Sequence, residues 1–227
     1  MDAAREAAFA CDRPTWFFAR HQTAARGRGD RVWRHPRGNF AASLVFDPWA
    51  GPMQAAWRSF TAALALRDAL IASGVPPGAL SLKWPNDVLL NGGKLAGILL
   101  EGLPNGDRVG RLIVGIGVNL AEAPPQDGNA FPPVALAGVI DPVPTPEALL
   151  TRIAAAFAPW EAELRAHRFA VVREAWLAHA ARLGEEITVT TPRGRVTGRF
   201  ETVDAHGLLV LATPGGTERF ASADIAY

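Results

Sequence analysis

The stretch from Lys83 to Glu101, KWPNDVLLNGGKLAGILLE, constrains this chain more than any other. Val88 to Leu90 is a short apolar run, Asn91-Gly92-Gly93 offers residues that tolerate positive φ, and Leu95 to Leu100 resumes the apolar run. That order predicts a strand, a tight reversal and a second strand, with Lys94 just past the turn. Pro85 biases Trp84 towards extended backbone and removes a ladder hydrogen bond at its own position. The stretch also holds both lysines of the chain, every other Lys or Arg being arginine. Lysine carries a compact, strongly hydrated ammonium and arginine a planar fork, so confinement of lysine to these positions singles them out. A hairpin in a buried core has no use for Lys83, Asn86, Asp87 and Lys94 together. Their density predicts a polar site at a sheet edge, the bland alternative being a solvated hairpin end with incidental charges.

The flanks mix strand and helix signals. Ala3 to Ala10 has helical composition without an N-terminal cap. Thr15 to Arg20 (TWFFAR) and Phe40 to Phe46 (FAASLVF) read as strands. Between them, His21 to Asn39 lacks periodicity and is a loop, with Arg26, Arg28, Arg31, Arg34 and Arg37 set among Gly27, Gly29, Gly38 and Pro36. Guanidinium forks and accessible backbone amides on such a loop suit a phosphate or a carboxylate. A basic loop without a ligand, or one that meets RNA, is the plain alternative.

Met53, Trp57, Phe60, Leu64 and Leu66 predict a helix from about Met53 to Ser73, stopped by Gly74 and Pro76-Pro77. Residues 121–146 are proline-rich and predict a surface connection. Thr145 as cap and Pro146 at the first helical position open a helix towards His167, with Leu149, Ile153, Phe157, Trp160 and Leu164 on one stripe. Phe169 to Arg182 predicts another. From Glu185 onward, short β runs are punctuated by Pro192-Arg193-Gly194, Ala205-His206-Gly207 and Pro214-Gly215-Gly216. They predict a small barrel, too small to stand alone and therefore packed on the main domain.

A length of 227 residues allows one well-buried core and a small appendage. A net charge of +1 excludes generic nucleic-acid binding by charge alone. The lone Cys11 excludes an internal disulfide and fits a reducing compartment. Apolar runs fall short of a membrane span, and MDAAREAAFA lacks the layout of a secretory signal, so the cytoplasm is the expected location. His21, His35, His167, His179 and His206 show no metal-ligand spacing. Gly115-Ile116-Gly117 lacks the third glycine of a dinucleotide fingerprint, and Gly93-Lys94 lacks both the Ser or Thr and the upstream glycine of a P-loop, so both are set aside.

KWPNDV followed by GGKLAGILLE, with GIGVNL from Gly115 to Leu120, resembles the signature of the biotin protein ligases. The resemblance runs from Gln22 to the end of the chain. It implies an α+β fold: a mixed β-sheet catalytic domain with helices packed on it over residues 1–183, and a small SH3-like β-barrel over residues 184–227. It implies ATP-dependent attachment of biotin to a lysine of a biotin carboxyl carrier protein through biotinyl-5′-AMP, with Mg2+ accompanying ATP. Carried over residue by residue, Lys94 and Arg28 are the expected catalytic groups. Gln22, Arg26, Lys94 and Gly97 are expected at biotin, Gly97 because the ligand lies against its strand. Arg28, Arg31, Trp33, Lys83, Asn86 and Asn119 are expected at the nucleotide, and Asp87 is a magnesium ligand or an orienting group.

No helix-turn-helix segment precedes these motifs, so neither operator DNA nor a membrane is an expected partner; sheet-edge homodimers occur in the family. The chain begins just after the place of the family's Ser/Thr-rich, biotin-contacting turn, which points to a start further upstream. Within the arginine loop, Ala25, Gly29 and Asp30 depart from the family pattern. A positive φ at Ala25 would be strained, and Asp30 sets a negative charge beside a phosphate site. Two rival readings stand beside the ligase. One is a lipoate ligase with the same adenylation logic, against which KWPND speaks, and the other a non-catalytic protein that binds biotin or biotinyl-AMP.

Overall fold

The structure is a computed structural model describing residues 1–23, 25–27, 33–126, 131–192 and 194–226. Its centre is a six-stranded sheet. The strands are β1 (Thr15–Phe18), β2 (Phe40–Phe46), β3 (Leu80–Lys83), β4 (Asp87–Leu90), β5 (Gly93–Asn105) and β6 (Arg108–Val118), in the order β1-β2-β6-β5-β4-β3. Every ladder between them is antiparallel. The expected mixing of directions enters only through two isolated parallel bridges, Leu82 with Ala180 and Lys94 with Pro133.

Helices α2 (Pro52–Ala56), α3 (Arg58–Ile71), α4 (Pro146–His167) and α5 (Phe169–Leu177) supply the main core together with the sheet. A short helix α1 (Asp2–Glu6) and the turn after it form a smaller cluster in which Ala4 and Ala8 meet Val45, Leu103 and Ile113. Thr145 caps α4 as its sequence predicts, its side chain accepting from the Ala148 amide. Leu149, Ile153, Phe157 and Leu164 are buried as expected, while Trp160 is partly buried and donates to Asp68 Oδ2 at 2.7 Å.

Three expected elements differ. The helix foreseen over Met53–Ser73 is divided at Trp57, where the Trp57 and Phe60 amides bond back three residues instead of four, and Met53 is exposed. The helix foreseen over Phe169–Arg182 ends at Leu177 because the following residues turn to pair with the edge of β3. There Leu82 donates to the His179 carbonyl and Ala181 to the Leu82 carbonyl, both at 2.8 Å. The expected surface connection over 121–146 also contributes to the core, since Phe131 and Leu136 are buried and 132–134 bonds to Lys94.

The C-terminal strands β7 (Glu186–Thr191), β8 (Gly194–Val203), β9 (Leu209–Thr213), β10 (Gly216–Phe220) and β11 (Asp224–Ala226) form a second antiparallel sheet. Its order is β10-β9-β8-β7-β11, and its buried Ile187, Val189, Phe200 and Leu211 join the main core.

Candidate active site

The hairpin predicted from Asn91-Gly92-Gly93 is present, with Asn91 at φ 50 and Gly92 at φ 80. Gly93 serves differently: a Cβ there would lie 2.3 Å from Val134 Cγ1 and 2.9 Å from the Pro132 carbonyl. Glycine lets 132–134 approach closely enough for Lys94 N to donate to Pro132 O at 2.8 Å and for Val134 N to donate to Lys94 O at 3.0 Å.

A β-bulge then decides which way Lys94 points. Asp87 pairs with Gly97 and Val88 with Ala96, but the register slips so that Leu89 pairs with Lys94. Cross-strand partners share a face and faces alternate along a strand, so the extra residue brings Lys94 to the face of Asp87 and Gly97 instead of the opposite one. Lys94 Nζ then stands 2.8 Å from Asp87 Oδ1. Lys83, opposite Asp87 across the β3–β4 ladder, donates from Nζ to Asp87 Oδ2 at 3.2 Å. Both lysines of the chain therefore meet on one carboxylate that is 6% exposed. Burial pushes the Asp87 carboxyl up, but the Lys94 and Lys83 charges and hydrogen bonds outweigh it and hold the group below the usual carboxylate range.

Gly97 pairs with Gly117 and Leu99 with Gly115, so the same face carries three glycines on adjacent strands. This gives the sheet a floor of bare backbone. The Trp33 ring lies on it, at 3.3 Å from a Cβ built on Gly97 and 2.7 Å from one built on Gly117. The reason foreseen for Gly97, a ligand against the strand, is thus met here by an indole. Lys94 Nζ is 5.7 Å from the Trp33 ring centre and Lys83 Nζ 4.7 Å from that of Phe131. Above the floor is a cavity of about 200 Å³, lined by Gln22, Arg26, Trp33, Lys83, Asn86, Asp87, Lys94, Gly97 and Asn119 among others.

All the expected site residues within the described part thus come together, though not all in the expected manner. Asn86 donates from Nδ2 to the Ile98 carbonyl at 2.6 Å and accepts from the Ile98 amide at 2.8 Å, so its amide braces the turn. Asn119 donates to the Val134 carbonyl at 3.1 Å, and its buried Oδ1 has no hydrogen-bond partner. Arg26 is exposed and paired with Asp2. Ala25 is not among the described residues with positive φ, so the strain considered for it does not arise. Arg28, Arg31, Gly29 and Asp30 lie outside the described residues.

As for magnesium, both Asp87 oxygens face lysines, which makes this residue a counterion instead of an open cation ligand. No group of three His, Cys, Asp or Glu side chains suited to a metal occurs among the described residues. Sequence reasoning missed Gly115 and Gly117, Ser43, Arg34 and the 131–134 segment, all at the cavity. The alternate spacing of Gly115 and Gly117 on one strand was the available signal.

The fold and the bare-backbone cleft match known ligases. Residues 10–119 match the Biotin/lipoate A/B protein ligase family and residues 183–226 the Biotin protein ligase C terminal domain. A "Biotin--[acetyl-CoA-carboxylase] ligase" of Paracoccus denitrificans is 48% identical over 215 residues, covering 93% of this chain and 90% of that protein. Its counterpart from Mycobacterium tuberculosis is 34% identical over 92% of this chain and 77% of that protein. Among solved structures, the biotin protein ligase from Aquifex aeolicus in complex with biotin and ATP superimposes with a TM-score of 0.79 at 23% identity, covering 95% of this chain and 89% of that one. The chain belongs to the biotin protein ligase family.

Proposed function

We propose that this chain attaches biotin to a lysine of a biotin carboxyl carrier protein, using ATP and passing through biotinyl-5′-AMP. A carboxylic acid does not acylate an amine in neutral water because hydroxide is a poor leaving group. In the first step a biotin carboxylate oxygen attacks the α-phosphorus, the bond from phosphorus to the β-phosphate bridge breaks, and pyrophosphate leaves. In the second, the acceptor amine attacks the biotinyl carbonyl carbon, the acyl–phosphate bond breaks, AMP leaves, and the amine's proton passes to solvent.

The observation that carries this reading is the pair of lysines on one buried carboxylate beside a side-chain-free floor. Negative charge crowds at the α-phosphate in the first step, and ammonium groups already fixed there stabilise it without reorganisation. Lys94, on a side chain 34% exposed, is the group that meets the biotin carboxylate and the α-phosphate. Lys83, 11% exposed, is directed at the outer phosphates, while Asp87 keeps the two ammonium groups oriented. The unpartnered Asn119 Oδ1 is an acceptor for a nucleotide amino group, and Trp33 with the glycine floor offers flat surfaces to rings. Gln22 and Arg26 stand on the biotin side, Arg26 exchanging Asp2 for a ligand anion, and Arg28 and Arg31 act from the same loop. Magnesium enters with the ATP phosphates in this reading. Catalysis belongs to the unit over 1–183, the smaller unit covering 184–227.

Biotin-dependent exchange of labelled pyrophosphate into ATP tests the first step. Exchange that lipoate neither supports nor inhibits is expected. Tight biotin binding without exchange would favour a non-catalytic biotin-binding protein, and exchange driven by lipoate a lipoate ligase.

A further inference from the structure

The turn from Lys83 to Asp87 has two sides. Lys83, Asn86 and Asp87 line the cavity, whereas Trp84 is 1% exposed and belongs to the main core. Its Nε1 donates to the carbonyl of Gly207 at 3.1 Å, reaching the β8–β9 connection of the C-terminal sheet. Beside it, Trp57 Nε1 donates to the carbonyl of His206, also at 3.1 Å. Ser59, two residues further along α3, donates to the Pro85 carbonyl at 2.7 Å. Two indole donors from the catalytic unit thus engage two consecutive carbonyls of the smaller one.

The acceptor turn is built to present those carbonyls. Asp204 Oδ1 accepts from the amides of His206 and Leu208 at 2.8 and 3.0 Å. The Asp204 amide donates to Leu208 O at 2.9 Å and the Gly207 amide to Asp204 O at 3.0 Å. Gly207 takes φ 88 and rests on aromatic rings, a Cβ there lying 3.4 Å from Phe60 and 3.5 Å from Trp57. Those rings are themselves fixed, Trp57 stacked on Phe169 at 5.1 Å and Phe60 edge-on to Trp176 at 5.2 Å. Arg173 of α5 binds the Val203 carbonyl and Thr202 Oγ1 immediately before the turn.

We infer that the C-terminal unit, through the Asp204–Leu208 turn, sets the position of the Lys83–Asp87 turn and thereby the affinity for ATP. Trp84 and Asp204 are positioning residues: neither lines the cavity, and both act through Lys83 and Asp87. The physical reason is the cost of an unpaired donor. An indole N–H buried at Trp84 without the Gly207 carbonyl has lost its water and found no partner, so the turn shifts to recover one. Lys83 and Asp87 flank Trp84 directly and pair with each other across the ladder, so any such shift moves the ammonium held 3.2 Å from Asp87 Oδ2. The inference rests on the reading of Lys83 as a phosphate-binding group.

The test uses the full chain with Trp84→Phe, which removes the N–H and keeps an aromatic ring, and Asp204→Ala, which unties the acceptor turn from the other unit. In biotin-dependent pyrophosphate exchange, each variant is expected to raise the KM for ATP about three- to tenfold. The KM for biotin should stay within about twofold, and the double variant should be no worse than the larger single one because both act on one contact. Unchanged ATP KM, equal movement of both KM values with kcat, or fully additive effects would each overturn the inference. Amide hydrogen exchange decides the contact independently of activity. In Asp204→Ala, protection over residues 83–90 should fall about tenfold while 40–46 and 112–118 keep theirs. Equal protection in all three segments overturns the inference. Absence of pyrophosphate exchange in the unaltered chain counts against the ligase reading instead, and hydrogen exchange then decides the tether alone.

Discussion

Asp87→Asn exchanges one carboxylate oxygen for an NH2 group, keeps the shape of the side chain, and leaves two ammonium groups facing an amide. Removing one partner of a buried ion pair costs about 3–5 kcal/mol when the pair is fully desolvated. Lys83 qualifies at 11% exposure, but Lys94 at 34% is partly screened by solvent, so its share is discounted. The net expectation is a loss of about 2–4 kcal/mol at pH 7. With a urea slope of about 2–3 kcal/mol per M, the unfolding midpoint moves down by about 1 M.

The pH dependence gives a second, sharper check. Burial raises the Asp87 carboxyl, but Lys94 and Lys83 together bring it below the usual range in the folded state. A depressed native value means that the stabilisation is complete above the unfolded carboxylate range, near pH 4, and is lost as pH falls through the lower native value. The Asn variant lacks that component, so the gap between the two proteins should narrow in acid. Urea unfolding followed by tryptophan fluorescence at several pH values measures both. A gap under about 0.5 kcal/mol at pH 7, or one that widens in acid, would refute the placement of both lysines on Asp87.

Other consequences are as direct. Arg58 is 3% exposed and forks onto Glu161 with Nε–Oε2 at 3.0 Å and Nη2–Oε1 at 2.7 Å, so Arg58→Met should cost about 3–5 kcal/mol in urea unfolding. Adding Glu161→Leu should recover more than half of that by removing the stranded charge. Gly93→Ala places a methyl 2.9 Å from the Pro132 carbonyl, which should cost about 1–3 kcal/mol and slow adenylation by releasing the Lys94 backbone. Asn119→Ala should raise the KM for ATP about tenfold in pyrophosphate exchange while leaving that for biotin unchanged.

What was legible in the sequence was local. Phe40–Phe46 came out residue for residue because its alternation and bounding turns lie in one short window. The start of α4 did so because Thr145 and Pro146 make a cap within four residues. Asn91-Gly92 announced the hairpin for the same reason. Legibility failed where partners are far apart. Nothing near Phe169–Leu177 says that the chain must turn aside to pair with β3, and nothing near Arg58 names Glu161.

The candidate site divides along the same line. The residue types of Lys83, Asp87 and Lys94 marked a polar site, but that they share one carboxylate depends on a bulge between β4 and β5 that no local pattern encodes. The glycines of β6 were dismissed because they failed a loop motif, when their meaning lay in the strand period and in a tryptophan more than eighty residues earlier. Trp84 looked like one more core aromatic, yet its N–H finds its acceptor 123 residues downstream.

The central claim is that the ammonium of Lys94 drives formation of an acyl-adenylate, and single-turnover synthesis of biotinyl-5′-AMP tests it most directly. The unaltered chain mixed with biotin and MgATP should form the adenylate, and Lys94→Met should form it at least about 100-fold more slowly, in line with the loss of one preorganised charge at the reacting phosphate. Adenylate formed by Lys94→Met at the parent rate would contradict the account, as would a parent chain that binds both substrates and forms none.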